Sequence, residues 1–254
     1  MLAKTLSAAL EGLDALPVEV EVDISGGLPA ATVVGLPDAA VKESRERVKA
    51  AIANSSYRFP NRRITINLAP ADLRKEGAAY DLAMAIGLLA AAGELDAEAH
   101  RFRSFLLLGE LALDGKLRAV RGALPAALCA QARGLKGIVV PPDCAAEAAV
   151  VADFEVYAPR TLAEAVGFLA GKLELERRQV DLDRIMGQAL LAEGDLADVK
   201  GQAAAKRALT IAAAGGHNLL MLCRECQAAG GGLRLGDGTH HHRILNGGGA
   251  CCSN

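Results

Sequence analysis

The sequence has no tryptophan and few aromatic residues of any kind, only five Phe and three Tyr in 254 residues. An interior built from it must be filled by Ala, Leu and Val, which requires close approach of helices and strands. No apolar run reaches the ~20 residues that a membrane-spanning helix needs. The first residues carry Glu11 and Asp14 where a secretory signal would need an unbroken apolar stretch. These absences lead to the expectation of a cytoplasmic chain with no membrane partner. The formal net charge is only −2, so no chain-wide attraction to nucleic acid follows, although local basic patches stay open. Before residue 223 the only cysteines are Cys129 and Cys144, a usage that suits a reducing compartment. No lysine follows Lys206, which excludes any lysine-dependent phosphate site beyond it.

What is present over residues 1–171 is an alternation of strand and helix patterns, an α+β unit. Val18, Val20 and Val22 alternate with Glu19, Glu21 and Asp23, a half-buried strand. Gly26-Gly27 marks a turn, and residues 31–34 form a second strand. Asp38 is placed to cap a helix whose Val41, Val48 and Ile52 share one face. Residues 62–68 are a strand ended by Pro70, and Leu82, Ala85, Ile86 and Leu89 form a helical stripe. Residues 105–120 predict one hairpin turning at Asp114-Gly115. A helix over 124–133, short strands over 137–140 and 154–157, and a helix opened by the Thr161/Glu164 capping box complete the unit. Residues 172–183 are charged, without an apolar stripe, and are expected to link. Helical patterning resumes over 195–214, and residues 217–222 (HNLLML) form a buried strand. His100 is expected in a loop and His217 at a strand entrance. The last 32 residues, 223–254, hold eight Gly, four Cys and three His, too little apolar surface to order a fold, so disorder is expected.

Three ordered stretches carry a resemblance: residues 27–52 (GLPAATVVGLPDAAVKESRERVKAAI), 62–91 (RRITINLAPADLRKEGAAYDLAMAIGLLAA) and 198–220 (DVKGQAAAKRALTIAAAGGHNLL). Together they resemble the Mg-chelatase-like AAA+ ATPase family of the ComM/YifB type, over roughly residues 1–222. The resemblance implies a first domain, 1–171, with the fold shared by Lon proteases and a small ribosomal-subunit protein. It implies that 184–222 are the opening of an AAA+ module, left incomplete here, so that the chain is expected to be truncated or frame-disrupted. It also implies ATP and Mg²⁺ as cofactors of intact relatives, ring-shaped homo-oligomers, and an ATP-driven role in branch migration of DNA during natural transformation.

An ATP-binding loop needs a strand, then G-x-x-x-x-G-K-[ST], then a helix. Backbone N–H groups wrap the phosphates, the Lys neutralises them and the hydroxyl holds Mg²⁺. The strand is present, but Cys223-Arg224-Glu225-Cys226 follows it, and the later glycine clusters have no Lys. By the resemblance, Asp198, Val199, Gly201 and Gln202 match a segment near the adenine, which alone offers no grip on phosphate. No ATP hydrolysis, and no cofactor, is expected of this chain.

Lon-type peptidases pair a Ser nucleophile with a Lys base. The stretch resembling their nucleophile loop is Lys75-Glu76-Gly77-Ala78-Ala79-Tyr80-Asp81, with Ala79 at the serine position. Counting back from Pro141 places Leu124 at the lysine position. Neither group is chemically competent, so catalytic residues are absent and the unit is expected to be a scaffold.

Cys223-x-x-Cys226 is a half-site for Zn²⁺. The second half is poor, because adjacent His240 to His242 cannot all face one ion and Cys251-Cys252 lacks the spacing. Incidental metal affinity is the expectation rather than a built site. Lys42, Arg45, Arg47, Lys49, Arg58, Arg62, Arg63, Arg74 and Lys75 read either as a DNA- or subunit-facing surface or as solvated residues with pairs such as Glu43/Arg47. Interleaved acids and the lack of an aromatic platform favour the second. Two functions follow. One is a ComM-like fragment without catalysis. The other is a short interaction module binding full-length relatives, itself or DNA, with an incidental or regulatory metal-binding tail.

Overall fold

The computed structural model describes residues 1–95, 100–181, 196–222 and 242–245. The chain divides into two compact units, Met1–Arg184 and Ile185–Asn254.

The strands of the first unit, in chain order, are β1 (Leu2–Glu11), β2 (Asp14–Ser25), β3 (Ala30–Val34), β4 (Arg63–Ala69), β5 (Phe105–Leu107), β6 (Glu110–Leu111), β7 (Leu117–Arg118), β8 (Gly137–Val139) and β9 (Glu155–Tyr157). Seven of them form one mixed sheet in the order β3-β4-β2-β1-β5-β8-β9. β1–β2 and β2–β4 are antiparallel, while β3–β4, β1–β5, β5–β8 and β8–β9 are parallel. Side chains along a strand alternate between faces, so each inner strand feeds two cores. Phe105, Leu107 and Val139 join the core on one face, which also holds Val18, Val20 and Val22, whereas Leu106, Ile138 and Val140 join the core on the other. The alternating valines are thus inward, as their period predicts. β1 is a strand that the sequence pattern does not single out.

Helices α1 (Ala39–Asn54), α2 (Asp81–Ala92) and α5 (Leu162–Leu169) contribute to the first core. α3 (Ala123–Ala132) and the short α4 (Ala145–Ala148) contribute to the second. Asp38 caps α1 as expected, its carboxylate accepting from the Val41 amide at 2.7 Å. The same kind of cap recurs at α5, where the Thr161 hydroxyl accepts from the Glu164 amide at 3.2 Å. The returning Glu164 carboxylate accepts from the Arg160 amide rather than from that of Thr161. The expected stripe on α2 becomes burial all round, from Asp81 to Ala91, because the helix lies between the sheet and α1. Small residues make this packing close. α3 buries only alanines, Ala123, Ala126, Ala127 and Ala130. Three of the scarce aromatics, Phe105, Tyr157 and Phe168, meet edge-on or tilted in one cluster.

The single hairpin expected over 105–120 is not formed. Phe105–Leu107 is buried on both faces and joins the main sheet. Only β6 and β7 pair as a hairpin, turning through Gly115 at φ +83°. Continuous burial, rather than the alternation of a two-faced ribbon, decides this. His100 opens a 3-10 turn (His100–Arg103) rather than lying in an irregular loop. Beyond α5 the chain stays against this unit. The Leu173 amide donates to Gly167, and the Arg178 amide donates to Val156 at 2.8 Å.

In the second unit the helix α6 (Ala203–Gly215) begins later than the pattern from 195 predicts. Gly201 and Gln202 take left-handed conformations, φ +70° and +51°, and these break the helical path. No residue of α6 is buried. The expected strand is present as β10 (Leu219–Leu222) and pairs antiparallel with β11 (His242–Leu245). The rest of the segment 223–254, with Cys223, Cys226, His240, His241, Cys251 and Cys252, lies outside the described residues, as do 182–195.

Candidate functional site

A cleft of about 600 Å³ opens at the head of α2. Its walls are the end of β1 (Ala8 to Glu11), the segment from Asp72 to Tyr80, and residues 119–122 before α3. Ala79 stands in its wall, next to Tyr80, the N-cap of α2. Leu124 packs against the same apolar cluster as Ala79. Leu124 itself is not in the lining of the cleft. The lining carries no Ser, Thr, Cys, His or Lys. Its one hydroxyl, on Tyr80, is buried, and burial pushes its ionisation well above the ordinary phenol range.

The segment forming this wall is held from below. The Lys75 amide donates to Leu36, and the Asp38 amide donates back to the Lys75 carbonyl at 3.0 Å. The Asp38 carboxylate caps α1 with one oxygen and accepts from the Gly77 amide with the other, at 3.1 Å. Lys75 itself is fully buried and donates to the Pro70 carbonyl. Burial lowers its ammonium below the ordinary lysine range, opposed only by the charge of Asp72. A lysine depressed in this way costs stability while its ammonium is held protonated, and the cost fades as pH rises through its folded value toward the ordinary one. Lys75→Met is accordingly expected to unfold within about 1 kcal/mol of the parent, or above it, at pH 7. The parent should gain on the variant between pH 7 and about pH 10. Urea titrations at both pH values check this, and a parent that loses ground at alkaline pH would contradict it.

Behind the cleft sits an ion pair. Arg47 on α1 grips Asp81 on α2 through Nε at 2.9 Å and a terminal nitrogen at 3.3 Å. The same guanidinium donates to Ser44 Oγ at 2.6 Å, and Asp81 also accepts from the Leu111 amide at 3.2 Å. Asp81 is fully buried, whereas the Arg47 side chain is 22% exposed. Burial pushes the Asp81 carboxyl up, and the bonds from Arg47 and Ser44 pull it back down. This corrects the surface reading of Arg47: it pairs with a buried aspartate of another helix, not with Glu43. The available signal was an Asp directly preceding the apolar stripe of Leu82. The other basic residues divide. Arg45 pairs with Glu46, Arg74 pairs with Glu76, and Lys49 lies over the half-buried Phe59 ring at 5.9 Å.

The adenine-side candidates lie apart from this cleft in sequence, in the second unit. Asp198 and Val199 are on an exposed turn, and Gly201 and Gln202 lead from it into α6. No group of three or more His, Cys, Asp or Glu that could hold a metal occurs among the described residues. No helix among them is long and apolar enough to cross a membrane.

Much of this mixed sheet lies in a segment that a family model matches. Residues 20–144 match the model described as subunit ChlI of Mg-chelatase, and residues 195–232 match that of magnesium chelatase, subunit ChlI. Competence protein ComM of Haemophilus influenzae is 44% identical over 225 residues, covering 87% of this chain and 43% of that protein. YifB of Salmonella typhimurium is 47% identical over 221 residues, covering 87% and 42%. YifB of Escherichia coli K12 is 48% identical over 211 residues, covering 83% and 40%. The chain belongs to the Mg-chelatase-like family of the ComM/YifB type. It spans about two fifths of the length of these relatives.

Proposed function

We propose that this chain is a non-catalytic member of its family, a scaffold that holds a partner and neither hydrolyses ATP nor cleaves peptides. The observation that carries the reading is the sequence after β10. Where a phosphate loop must supply glycines and then Gly-Lys-Ser or Gly-Lys-Thr, the chain has Cys223-Arg224-Glu225-Cys226 and no later lysine. Backbone amides without the lysine leave the β- and γ-phosphate charge unneutralised. The cleft supports the second half of the reading, because its lining offers carboxylates but no Ser, Thr, Cys, His or Lys from which a Ser–Lys type pair could be built. The role itself, assistance to DNA processing in a competence-type process, is taken from the family and from the relative named a competence protein. Full-length relatives or further copies of this chain are the partners this implies.

Phosphate release from ATP, with and without single-stranded DNA, is expected to stay at background. Turnover clearly above background would refute the proposal. Resequencing codons 215–254 separates two origins of the sequence after β10. A shifted frame reading Gly-Lys-Ser or Gly-Lys-Thr directly after Leu222 makes it a frameshift product of an ATPase gene. Confirmation of the present frame makes the non-hydrolytic form the gene product.

A further inference from the structure

β1 is a ten-residue strand paired along its whole length with β2, from Leu2↔Asp23 to Glu11↔Asp14. Its other edge is paired only near Leu6, which registers with Leu106. β5 ends at Leu107, and the next amide on the edge toward β1, that of Gly109, donates to the Ala79 carbonyl at 2.9 Å instead of to β1. From Ala8 to Glu11 the strand is therefore paired on one side only, and this length lines the cleft. An unpaired strand edge in a cleft presents backbone donors and acceptors that need partners. Ala8 and Ala9 are buried in the cores on opposite faces of the sheet, while Leu10 and Glu11 are exposed in the cleft.

We propose that the cleft binds an extended, basic polypeptide segment, which adds as a strand to the Ala8–Glu11 edge. This rests on the scaffold reading and names its partner class. Main-chain hydrogen bonds supply the affinity, and the rim supplies the preference. That rim carries four carboxylates and two guanidiniums. Arg74 is engaged by Glu76 at 3.2 Å and Glu110 by Arg118 at 3.8 Å. Glu11, Asp72 and Arg121 have no ion-pair partner among the described residues, so the rim keeps a net surplus of one negative charge, carried by Glu11 and Asp72, toward a bound segment. The same surplus repels a phosphate backbone. It also repels the identical edge of a second copy.

The test uses the full chain and a fluorescein-labelled peptide, Val-Lys-Ala-Lys-Val-Lys-Ala-Lys, read by fluorescence anisotropy. Saturable binding is expected. It should weaken about tenfold or more when alternate peptide nitrogens are methylated, and similarly in a Glu11→Lys, Asp72→Lys double variant. Both substituted residues are exposed, so the variant should unfold like the parent in urea, and Lys49→Glu on a different surface should bind unchanged. No saturation at millimolar peptide overturns the proposal. So does equal binding of the methylated peptide, equal binding by the double variant, or displacement of the peptide by an oligo-dT strand. Mass spectrometry of the incubated peptide reads the scaffold proposal separately: cleaved peptide refutes that reading without touching the binding result.

Discussion

Arg47→Ala is expected to lower the unfolding free energy by about 3–5 kcal/mol at pH 7, a large share of what a domain of this size possesses. The cost comes less from the lost attraction than from what remains. Asp81 is fully buried, and without the guanidinium its carboxylate keeps only the Leu111 amide and the reach of Ser44. Burial then pushes its folded ionisation further above the ordinary carboxylate range. The sign of the pH dependence follows. An acid whose folded value is raised costs stability above that value, and the cost is relieved as pH falls through it. The deficit of Arg47→Ala should thus shrink between pH 7 and about pH 4. Asp81→Asn should be milder, because the partly exposed Arg47 can turn to water. Combining the two substitutions should recover part of the loss. Urea unfolding of the parent, the single variants and the double variant measures this directly. Strict additivity would show that no buried charge was stranded.

The second large effect is expected at Gly35, which joins β3 to the entry of α1. Its φ is +99°, a conformation that side-chain-bearing residues rarely adopt. A Cβ there would lie on the Leu68 carbonyl oxygen and 2.9 Å from its carbon. Both contacts are backbone atoms of β4, which is paired on both sides and cannot give way. Gly35→Ala should cost about 2–6 kcal/mol through backbone strain and overpacking. It should also disturb the cleft, because the residues that follow, Leu36 to Asp38, hold Lys75 and Gly77 in place. Gly12→Ala is the control. Its φ is +64° but nothing lies within 4 Å of the added carbon, so only local strain of about 1 kcal/mol is expected. Thermal unfolding of the two variants side by side decides the matter, and equal losses would place the effect in the backbone angle alone.

Much of the framework was legible in the residues themselves. The valines at 18, 20 and 22, the caps at Asp38 and Thr161 and the strand after His217 all depend on neighbours a few residues apart. Local periodicity and local hydrogen bonding record such features in the chain. The residues themselves, Ala79 at the serine-like position and Cys223-Arg224-Glu225-Cys226 after Leu222, were equally legible, and they carry the proposal of a non-catalytic chain.

What needed the tertiary structure depends on partners far apart in sequence. Arg47 reads as one charge on a mixed helix face until α2 brings Asp81 to it from 34 residues away. Residues 105–107 read as one arm of a hairpin until burial on both faces commits them to the sheet. The edge of Ala8–Glu11 is left unpaired by β5 because β5 stops at Leu107 and the Gly109 amide goes to Ala79. By itself, then, the sequence determined most of the elements and the family, properties of side chains or short repeats. Only the tertiary structure decided which charge is buried and which strand edge stays free, because burial and pairing are relations between distant segments and no single segment carries them.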